Sequence, residues 1–181
     1  NILVYPQTAR YVRLSAAMES AQGTAHIIRF GLYREVNLAS INYGASATAD
    51  STMTTSGGNV YGANHTIDET YLDASNYMNS GWVSVNKTSA DNWLKVDLGQ
   101  ARTFDRWVVA HTGLEYFLRK LEADGKSTAS YLKFTTRQYK LQVSENGSDW
   151  TSVDEVTGNT AGQTDRLLKE PVTARYVRLY I

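Results

Sequence analysis

The fold is decided by the stretch Tyr139–Trp150, which reads YKLQVSENGSDW. Its first six residues alternate between apolar and polar side chains, the pattern of a strand with one face in a core and the other in solvent. The pair Asn146-Gly147 follows closely, and this pair tolerates the positive φ angles of a type I′ turn. We therefore expect a β-hairpin whose first strand is Tyr139–Ser144.

The same alternation recurs along the chain between polar turn segments. It is present in Trp93–Leu98 and in Arg10–Leu14, and Arg106–Ala110 is a shorter run that is mostly apolar. Several short strands separated by turn residues favour a β-sandwich or a β-barrel. The sequence therefore predicts an all-β domain.

One segment breaks the β pattern. Between residues 114 and 124 the apolar residues recur at helical spacing, and Gly125 follows where a helix C-cap is expected. This pattern predicts a short amphipathic helix within a long connection between two strands. Such a helix would either close one end of the sandwich or raise polar side chains to the rim of a binding site.

Composition removes several classes of function. The 18 basic and 18 acidic residues give a formal net charge of zero, so we expect no nucleic-acid partner. The 181 residues include no cysteine, which removes disulfides and thiolate metal sites. No Gly-x-Ser-x-Gly or His-Glu-x-x-His motif occurs, and the three histidines are scattered, so we expect a protein that is not an enzyme.

A nine-residue segment occurs twice. Pro6–Leu14 and Pro171–Leu179 agree at eight of nine positions, and only Gln7 and Val172 differ. A match of this length, at a spacing of 165 residues, indicates an internal repeat with the period of a whole domain. The sequence therefore predicts a tandem array, with residues 1–36 as the tail of a preceding module and residues 37–181 as the next module.

The order of several short motifs resembles that of a discoidin-like module, the coagulation-factor C-type domain. The most specific motif is Trp93–Gly99, which reads WLKVDLG. The others, in chain order, are an opening strand at Asn37–Ala39, then Thr48–Ser51, Ile67-Asp68, Trp82–Ser84, Trp107–Val109 with His111, Tyr139–Ser144 with Trp150, and Ala174–Leu179. Over residues 37–181 the chain is most similar to the bacterial branch, carbohydrate-binding module family 32. The resemblance implies a galactose-binding-like jelly-roll β-sandwich of about eight strands.

This resemblance also implies a function. Such modules are not catalytic, and they target a secreted bacterial glycoside hydrolase or adhesin to neutral, galactose-type glycans. The implied partners are an oligosaccharide or polysaccharide and the neighbouring modules of an extracellular multidomain protein. The alternative is a phospholipid- or protein-binding adhesion module of the same fold. We do not expect a membrane partner, because the helical pattern buries Phe117 and Leu118.

Sugar recognition needs an aromatic ring against the apolar face of a pyranose and polar side chains for its hydroxyls. In the family that the chain resembles, loops at one end of the sandwich hold the ligand. The predicted ligand-binding residues are Tyr61 and His65 in one loop region, and His111, Glu115, Tyr116, Arg119 and Tyr131 in another. An alternative role for His111 is that of a buried structural residue. Relatives often carry a histidine just after the residue equivalent to Trp82, where Val83 and Ser84 stand here, so the pocket departs from the usual one.

The four tryptophans lie in or beside strand signatures, and we expect each to pack in the core. Calcium is a further implication of the resemblance, as a structural ion held by loop carbonyls and carboxylates, the oxygen ligands that Ca²⁺ prefers. The matching segment supplies Asp68, Asp73 and Asn76. Arg29 stands where a glutamate usually closes that site, and it would either replace the ion with a salt bridge or point away.

Residues 15–36 are similar to the loop and strand that close the sandwich in relatives. Three arrangements remain open for them. They belong to the preceding module, or they exchange between two chains, or they fold back and complete residues 37–181 as a circularly permuted module. We expect the last, because a strand without a partner leaves open backbone groups.

Overall fold

The computed structural model describes residues 36–69, 81–85, 92–111, 122–125, 127 and 135–181. The chain divides into two compact units, Asn1–Asn37 and Leu38–Ile181. Almost all of the first unit lies outside the described residues. The predicted arrangements of residues 1–36 therefore stay predictions, and the fold below is that of the second unit.

The described part of Leu38–Ile181 is all-β. Its strands are β1 (Ser46–Ala49), β2 (Trp93–Ala110), β3 (Tyr139–Ser144), β4 (Thr151–Val156) and β5 (Gln163–Tyr180). They form an antiparallel sheet in the order β1-β2-β5-β3-β4. Two 3-10 helices, Ile41–Tyr43 and Ala63–Thr66, lie before and after β1. Among the described residues, no helix is long and apolar enough to cross a membrane.

The ladder between β2 and β5 folds over on itself. Lys140 is the cross-strand partner of Tyr180, so Tyr139 lies beside the end of β5. The Tyr139 hydroxyl is nevertheless hydrogen-bonded to the hydroxyl of Thr164, near the start of β5. These two points would lie about 50 Å apart if β5 were straight. Both long strands therefore bend sharply and run back through a second layer.

The bend in β2 lies between Asp97 and Arg102, where its register with β5 shifts. Gly99 adopts a φ of 77° there, and a Cβ at this position would lie 3.2 Å from the carbonyl oxygen of Gly44. The Asp97 carboxylate accepts from the Gly99 N–H at 2.8 Å and from the Arg175 guanidinium at 3.0 and 2.9 Å. Strands commonly change layers through such irregularities.

The result is a two-layered β-sandwich, as the sequence predicts. The front layer contains β1, residues 93–98 of β2, residues 174–180 of β5, β3 and β4. The second layer contains residues 102–110 of β2 and 163–173 of β5. The described residues hold five strands, and two of these serve both layers.

An aromatic contact joins the two layers. Trp107 and Tyr139 are both buried, and their ring centroids lie 6.0 Å apart with the planes at 90°. The Trp107 indole N–H donates to Asp154 at 3.0 Å, and Arg166 donates two hydrogen bonds to the same carboxylate at 2.7 and 2.8 Å. Burial by itself raises the pKa of Asp154, but these donors outweigh it and lower the pKa below its ordinary value. The carboxylate thus stays charged between the layers.

A second cluster of buried residues lies beside β1. Its members are Ala45, Ala47, Ala63, Ile67 and Leu94. The side-chain oxygen of Asn64 accepts from the Ala47 N–H at 2.9 Å, which fixes the 3-10 helix Ala63–Thr66 against β1. Small residues dominate this cluster, so backbone and helix approach one another closely.

A polar cluster closes the core where β2 ends. The Nε2 atom of His111 lies 3.1 Å from the Tyr139 hydroxyl and 3.3 Å from the Thr164 hydroxyl. The backbone N–H of His111 donates to the backbone carbonyl of Gly162 at 2.8 Å. Burial lowers the pKa of His111, so the neutral imidazole is the form that the fold favours.

The loop after β3 differs from the predicted type I′ turn. The connection covers residues 145–150, and within it only Gly147 has a positive φ, of 77°, whereas a type I′ turn needs two such residues. The Asn146 side chain instead accepts hydrogen bonds from the N–H groups of Ser148 and Asp149, both at 2.9 Å. The predicted hairpin is confirmed, but the predicted turn type is wrong. Hydrogen bonds to the Asn146 side chain hold the loop in a conformation that needs only one residue with a positive φ.

The opening strand predicted at Asn37–Ala39 is wrong. Leu38 and Ala39 lie in a turn, and Ser40 then caps the 3-10 helix Ile41–Tyr43 by accepting from the Asn42 N–H at 3.3 Å. A serine before a short turn offers the backbone this local alternative to a sheet.

Most of the helix predicted over residues 114–124 lies outside the described residues. Its end is described: residues 122 and 123 are helical, and the Gly125 N–H bonds the Glu122 carbonyl at 3.0 Å. Gly125 has a φ of 67°, which suits its predicted role as the C-cap.

The tryptophans divide between core and surface. Trp107 is buried, and Trp82 packs against the cluster beside β1. Trp93 and Trp150 lie instead on the outer face of the front layer, where Lys95 and Arg178 stack on them. The expectation of core packing is wrong for these two, because strand alternation places Trp93 on the face opposite to buried Leu94.

We expect Gly99→Ala to destabilise the fold by about 1–3 kcal/mol, because a side chain is strained at a left-handed φ. The new Cβ would also press on the Gly44 carbonyl. Gly57→Ala is the matched control, since a Cβ there meets nothing closer than 3.8 Å. Urea unfolding measures both, and equal midpoints for the two variants would contradict the role of Gly99 in the bend.

We expect a pH dependence of stability that arises from His111. Unfolded His111 takes up a proton near its ordinary pKa of 6.5, whereas the folded residue resists protonation. The stability that neutral, buried His111 contributes is therefore fully present above about pH 6.5, and it is lost as the pH falls through the lower pKa of the folded state. The free energy of unfolding should decline between about pH 7.5 and pH 5.

This decline should be smaller in His111→Gln than in the unsubstituted protein. Asp165→Asn is the control and should keep the full decline, because hydrogen bonding by Arg106 lowers the pKa of Asp165 below 3.8, outside this pH window. Chemical unfolding at the two pH values tests this, and parallel profiles for the protein and His111→Gln would refute it.

Candidate functional site

The long connections leave the sandwich at one end, which we call the loop end. Because β1 is antiparallel to β2, the chain leaves β1 beside the start of β2, and the contacts of His111 bring the end of β2 to the start of β3 and β5. The connections 50–92, 111–138 and 157–162 therefore all begin and finish at this end. The first two of these connections are far longer than an ordinary loop, and such long connections usually carry function.

Every ligand-binding residue predicted from the sequence belongs to one of the first two connections. Tyr61 and His65 lie in connection 50–92, and His111 begins connection 111–138. Glu115, Tyr116, Arg119 and Tyr131 lie outside the described residues, so their role stays a prediction.

The backbone of connection 50–92 holds Tyr61 in place. The Tyr61 N–H donates to the Met53 carbonyl at 3.0 Å, and the Met53 N–H donates to the Val83 carbonyl at 2.8 Å. The indole N–H of Trp82 donates to the carbonyl of Ser51 at 2.7 Å. The residues around Tyr61 and those after Gly81 thus form one hydrogen-bonded patch.

This patch has an apolar rim. Met53 is 40% exposed, Val60 is 49% exposed and Val85 is 45% exposed. Tyr61 follows Val60 directly in the chain and is half-buried. Exposed apolar side chains on one patch offer a contact surface for an apolar ligand face.

His65 is engaged with Asp68. Its Nδ1 atom lies 3.1 Å from the Asp68 carboxylate, one helical turn further along the chain. Asp68 is also the one predicted calcium ligand that the structure describes, since Asp73 and Asn76 lie outside the described residues. Within the described ranges, no group of three or more histidine or acidic residues could hold a metal ion. The calcium site therefore stays a prediction.

His111 has the contacts of the buried structural residue that the sequence offers as its alternative role, and its ligand-binding role stays a prediction. Its Nε2 atom is held by the hydroxyls of Tyr139 and Thr164, as a structural residue would be. Its Nδ1 atom has no hydrogen-bond partner among the described residues. A neutral imidazole in this position supplies one polar atom at the loop end without a charge.

The described part of the sandwich has shallow hollows. One of about 190 Å³ is lined by Gln138, Tyr139, Lys140, Glu155, Tyr180 and Ile181. Another, of about 290 Å³, lies beside the hairpin after β3 and is lined mainly by polar residues such as Asn146 and Asp149. Both are smaller than most pockets for drug-sized ligands, so these surfaces suit shallow contact.

An arrangement that the sequence motifs do not predict lies on the outer face of the front layer. We call it the aromatic face, and it consists of Trp93, Lys95, Trp150, Arg178 and Tyr180. A signal was present, because a ring and a cation alternate at i and i+2 both in β2 and in β5. Two-residue spacing places such side chains on the same face of a strand.

Comparison with known sequences identifies relatives. Residues 68–179 match the F5/F8 type C family described as NedA-like, galactose-binding domains. Neuropilin-1 of Mus musculus is 29% identical over 129 residues, and Neuropilin-1a of Danio rerio is 28% identical over 126 residues. These matches cover 66% and 63% of this chain but only 12% and 13% of the two relatives.

Comparison with solved structures identifies the fold. Chitosan-binding module 1 from a chitosanase/glucanase of Paenibacillus sp. IK-5 has a TM-score of 0.52 at 22% identity, over 81% of this chain and 86% of that one. Chitosan-binding module 2 of the same enzyme, solved with chitotriose, has a TM-score of 0.50 at 19% identity, over 80% and 86%. The family 32 carbohydrate-binding module of Streptococcus pneumoniae EndoD has a TM-score of 0.49 at 26% identity, over 75% and 81%.

These likenesses confirm the predicted galactose-binding-like, jelly-roll class. The sequence match extends over more than half of the chain, from β2 through β5. The protein therefore belongs to the F5/F8 type C family of discoidin-like, galactose-binding domains.

Proposed function

We propose that the protein is a non-catalytic carbohydrate-binding module that holds its ligand at the loop end. Membership of a galactose-binding family carries this proposal. The Paenibacillus modules, which are described as chitosan-binding, share this fold. At their level of identity they bear on the fold and not on which sugar is bound.

The chemistry of the loop end suits a neutral sugar. Tyr61 supplies a half-buried ring on a connection that also carries exposed apolar side chains, and His111 supplies a neutral nitrogen. Pyranose rings present an apolar face to aromatic rings and hydroxyls to polar atoms. Glu115, Tyr116, Arg119 and Tyr131 are the further ligand-binding residues of this proposal.

The proposal has a biological setting. The module would belong to an extracellular bacterial glycoside hydrolase or adhesin and would keep it on a galactose-type or related neutral glycan. Weak single-site affinity would be compensated where neighbouring modules bind the same polysaccharide. A structural calcium ion on Asp68, Asp73 and Asn76 would fix the loop beside the site, so binding should be measured both with calcium and with EDTA.

We expect Tyr116→Ala and Arg119→Ala each to weaken retention by GalNAc-β-1,3-galactose about tenfold or more, because each removes a contact worth roughly 1.4 kcal/mol. Affinity electrophoresis and calorimetry measure the loss. Both melting temperatures should stay within about 2 °C of the unsubstituted protein, as is usual for surface substitutions.

Tyr43→Ala is the matched control for these variants. Tyr43 lies before β1, at the end of the sandwich opposite the loop end, and its loss should not change retention. Unchanged retention in both loop variants would remove connection 111–138 from the site. An absence of any glycan binding, with and without calcium, would refute the proposed function itself.

A phospholipid-binding module is the second candidate function. The exposed side chains of Met53, Val60 and Val85 favour it, since apolar loop tips insert into bilayers. The described parts of the same connection contain Asp50, Asp68 and Glu69 but no lysine or arginine. Attraction to anionic lipid needs basic residues near the surface, so the sugar-binding proposal is the stronger one.

We expect the protein to remain in solution when sedimented with phosphatidylcholine vesicles or with vesicles that include phosphatidylserine. The apolar rim is small, so little apolar surface would enter the bilayer. Sedimentation with either vesicle, if abolished in the double variant Met53→Ser/Val60→Ser, would favour the second function instead. Tyr43→Ala, which leaves Met53, Val60 and Val85 unchanged, serves again as the control.

A further inference from the structure

The short connection 157–162 is hydrogen-bonded to both ends of the long connection 111–138. At one end, the backbone N–H of His111 donates to the backbone carbonyl of Gly162 at 2.8 Å. At the other end, Asn159 donates two hydrogen bonds to backbone carbonyls just before β3. The predicted ligand-binding residues that follow His111 in this connection lie between the two anchor points in the chain. The short connection therefore fixes the base of the segment that carries them.

Asn159 makes the second anchor with both its backbone and its side chain. Its backbone N–H donates to the Arg137 carbonyl at 2.9 Å, and its Nδ2 atom donates to the Thr136 carbonyl at 2.9 Å. The same side chain also shapes its own connection, because Nδ2 donates to the Ala161 carbonyl at 3.3 Å and Oδ1 accepts from the Ala161 N–H at 3.0 Å. An asparagine side chain can join two segments in this way because it carries both donors and an acceptor.

The core of the sandwich holds connection 157–162 at both of its own ends. Val156, the last residue of β4, is buried in the cluster that contains Tyr139. Thr164, the second residue of β5, is buried as well, and its hydroxyl is bonded to the Tyr139 hydroxyl. A short segment between two buried strand ends has few conformations open to it. It is therefore a firm support for the longer connection beside it.

The long connection needs such a support, because its two ends do not belong to neighbouring strands. In the described sheet β5 lies between β2 and β3, so the end of β2 and the start of β3 are held together by β5 and by connection 157–162. A segment that is free at its base must be ordered when a ligand binds, and this ordering lowers the affinity. Anchoring both ends beforehand removes part of that cost.

We propose that Asn159 is a positioning residue of the loop-end site, which raises the affinity for the sugar through connection 111–138 without touching the sugar itself. The proposal rests on the loop-end function and adds to it a residue from the third connection. The side-chain hydrogen bond to the Thr136 carbonyl carries this role, because the other side-chain hydrogen bonds of Asn159 stay within its own connection.

Asn159→Asp separates the two kinds of contact that this side chain makes. The carboxylate keeps an acceptor for the Ala161 N–H, but it cannot donate to the Thr136 carbonyl. We expect Asn159→Asp to weaken binding of GalNAc-β-1,3-galactose about three- to tenfold, the range that the net worth of one hydrogen bond covers. Calorimetry measures the affinity. The melting temperature of the free protein should fall by no more than about 4 °C.

Two further variants control for charge and for place. Asn159→Ala removes the same donor without adding a charge and should weaken binding to a similar extent. Asn146→Asp is the matched control, because Asn146 also accepts from backbone N–H groups of its own loop and donates from Nδ2, to the Asp149 carboxylate. It lies in the hairpin after β3, at the end of the sandwich opposite the loop end, so sugar affinity should not change.

Hydrogen exchange distinguishes positioning from a general loss of stability. We expect Asn159→Asp to speed amide exchange in peptides from residues 111–138 and to leave exchange in β3 and β5 as it is. A variant that is merely less stable would exchange faster in those strands as well. This measurement needs no ligand, so it reports on the anchor independently of sugar binding.

The outcomes separate this proposal from the loop-end function. Asn159→Asp that binds the disaccharide like the unsubstituted protein, an equal loss in Asn146→Asp, or faster exchange spread evenly over the sheet would each overturn the positioning role. Each of these results leaves the loop-end function standing, because the unsubstituted protein still binds. An unsubstituted protein that binds no sugar, with and without calcium, refutes the loop-end function and this proposal together.

Discussion

The bend of the β2–β5 ladder is the constraint on which the rest of the structure depends. One glycine, Gly99, permits it, because its φ is left-handed and a Cβ there would lie only 3.2 Å from the Gly44 carbonyl oxygen. The bend turns one ladder into two layers, and Trp107 then meets Tyr139 across the core. It also returns β2 to the end from which it started, so the long connections leave the sandwich together. The position of the candidate site at the loop end therefore depends on a backbone bend at the opposite end of the sandwich.

Much of this fold is predictable from local pattern. Alternation in 93–98, 139–144 and 174–179 gives the strands and tells which side chains face a core. It does not tell in which layer a strand lies, because that depends on where the ladder bends. For Trp93, alternation is a better guide than size: a large aromatic side chain suggests burial, but Trp93 is adjacent to buried Leu94 and therefore lies on the outer face. The turn after β3 was missed for a related reason, since the hydrogen bonds of the Asn146 side chain become evident only once the loop has a shape.

The candidate site is predictable to a smaller extent. Its connections follow from the strands, so Tyr61 and His111 could be assigned to one end of the sandwich. The hydrogen bonds of His111 could not be predicted, because Tyr139 and Thr164 are distant in sequence and reach its Nε2 atom only through the bend. The opposition of Lys95 and Arg178 was likewise hidden, because the register between β2 and β5 is a property of the whole sheet.

Net charge proved a poor guide to local charge in this protein. Three carboxylates, those of Asp97, Asp154 and Asp165, each accept two hydrogen bonds from one arginine. These pairs tie strands together, and the acids in them are not available to balance other cations. A formal charge of zero therefore coexists with a face on which lysine and arginine meet.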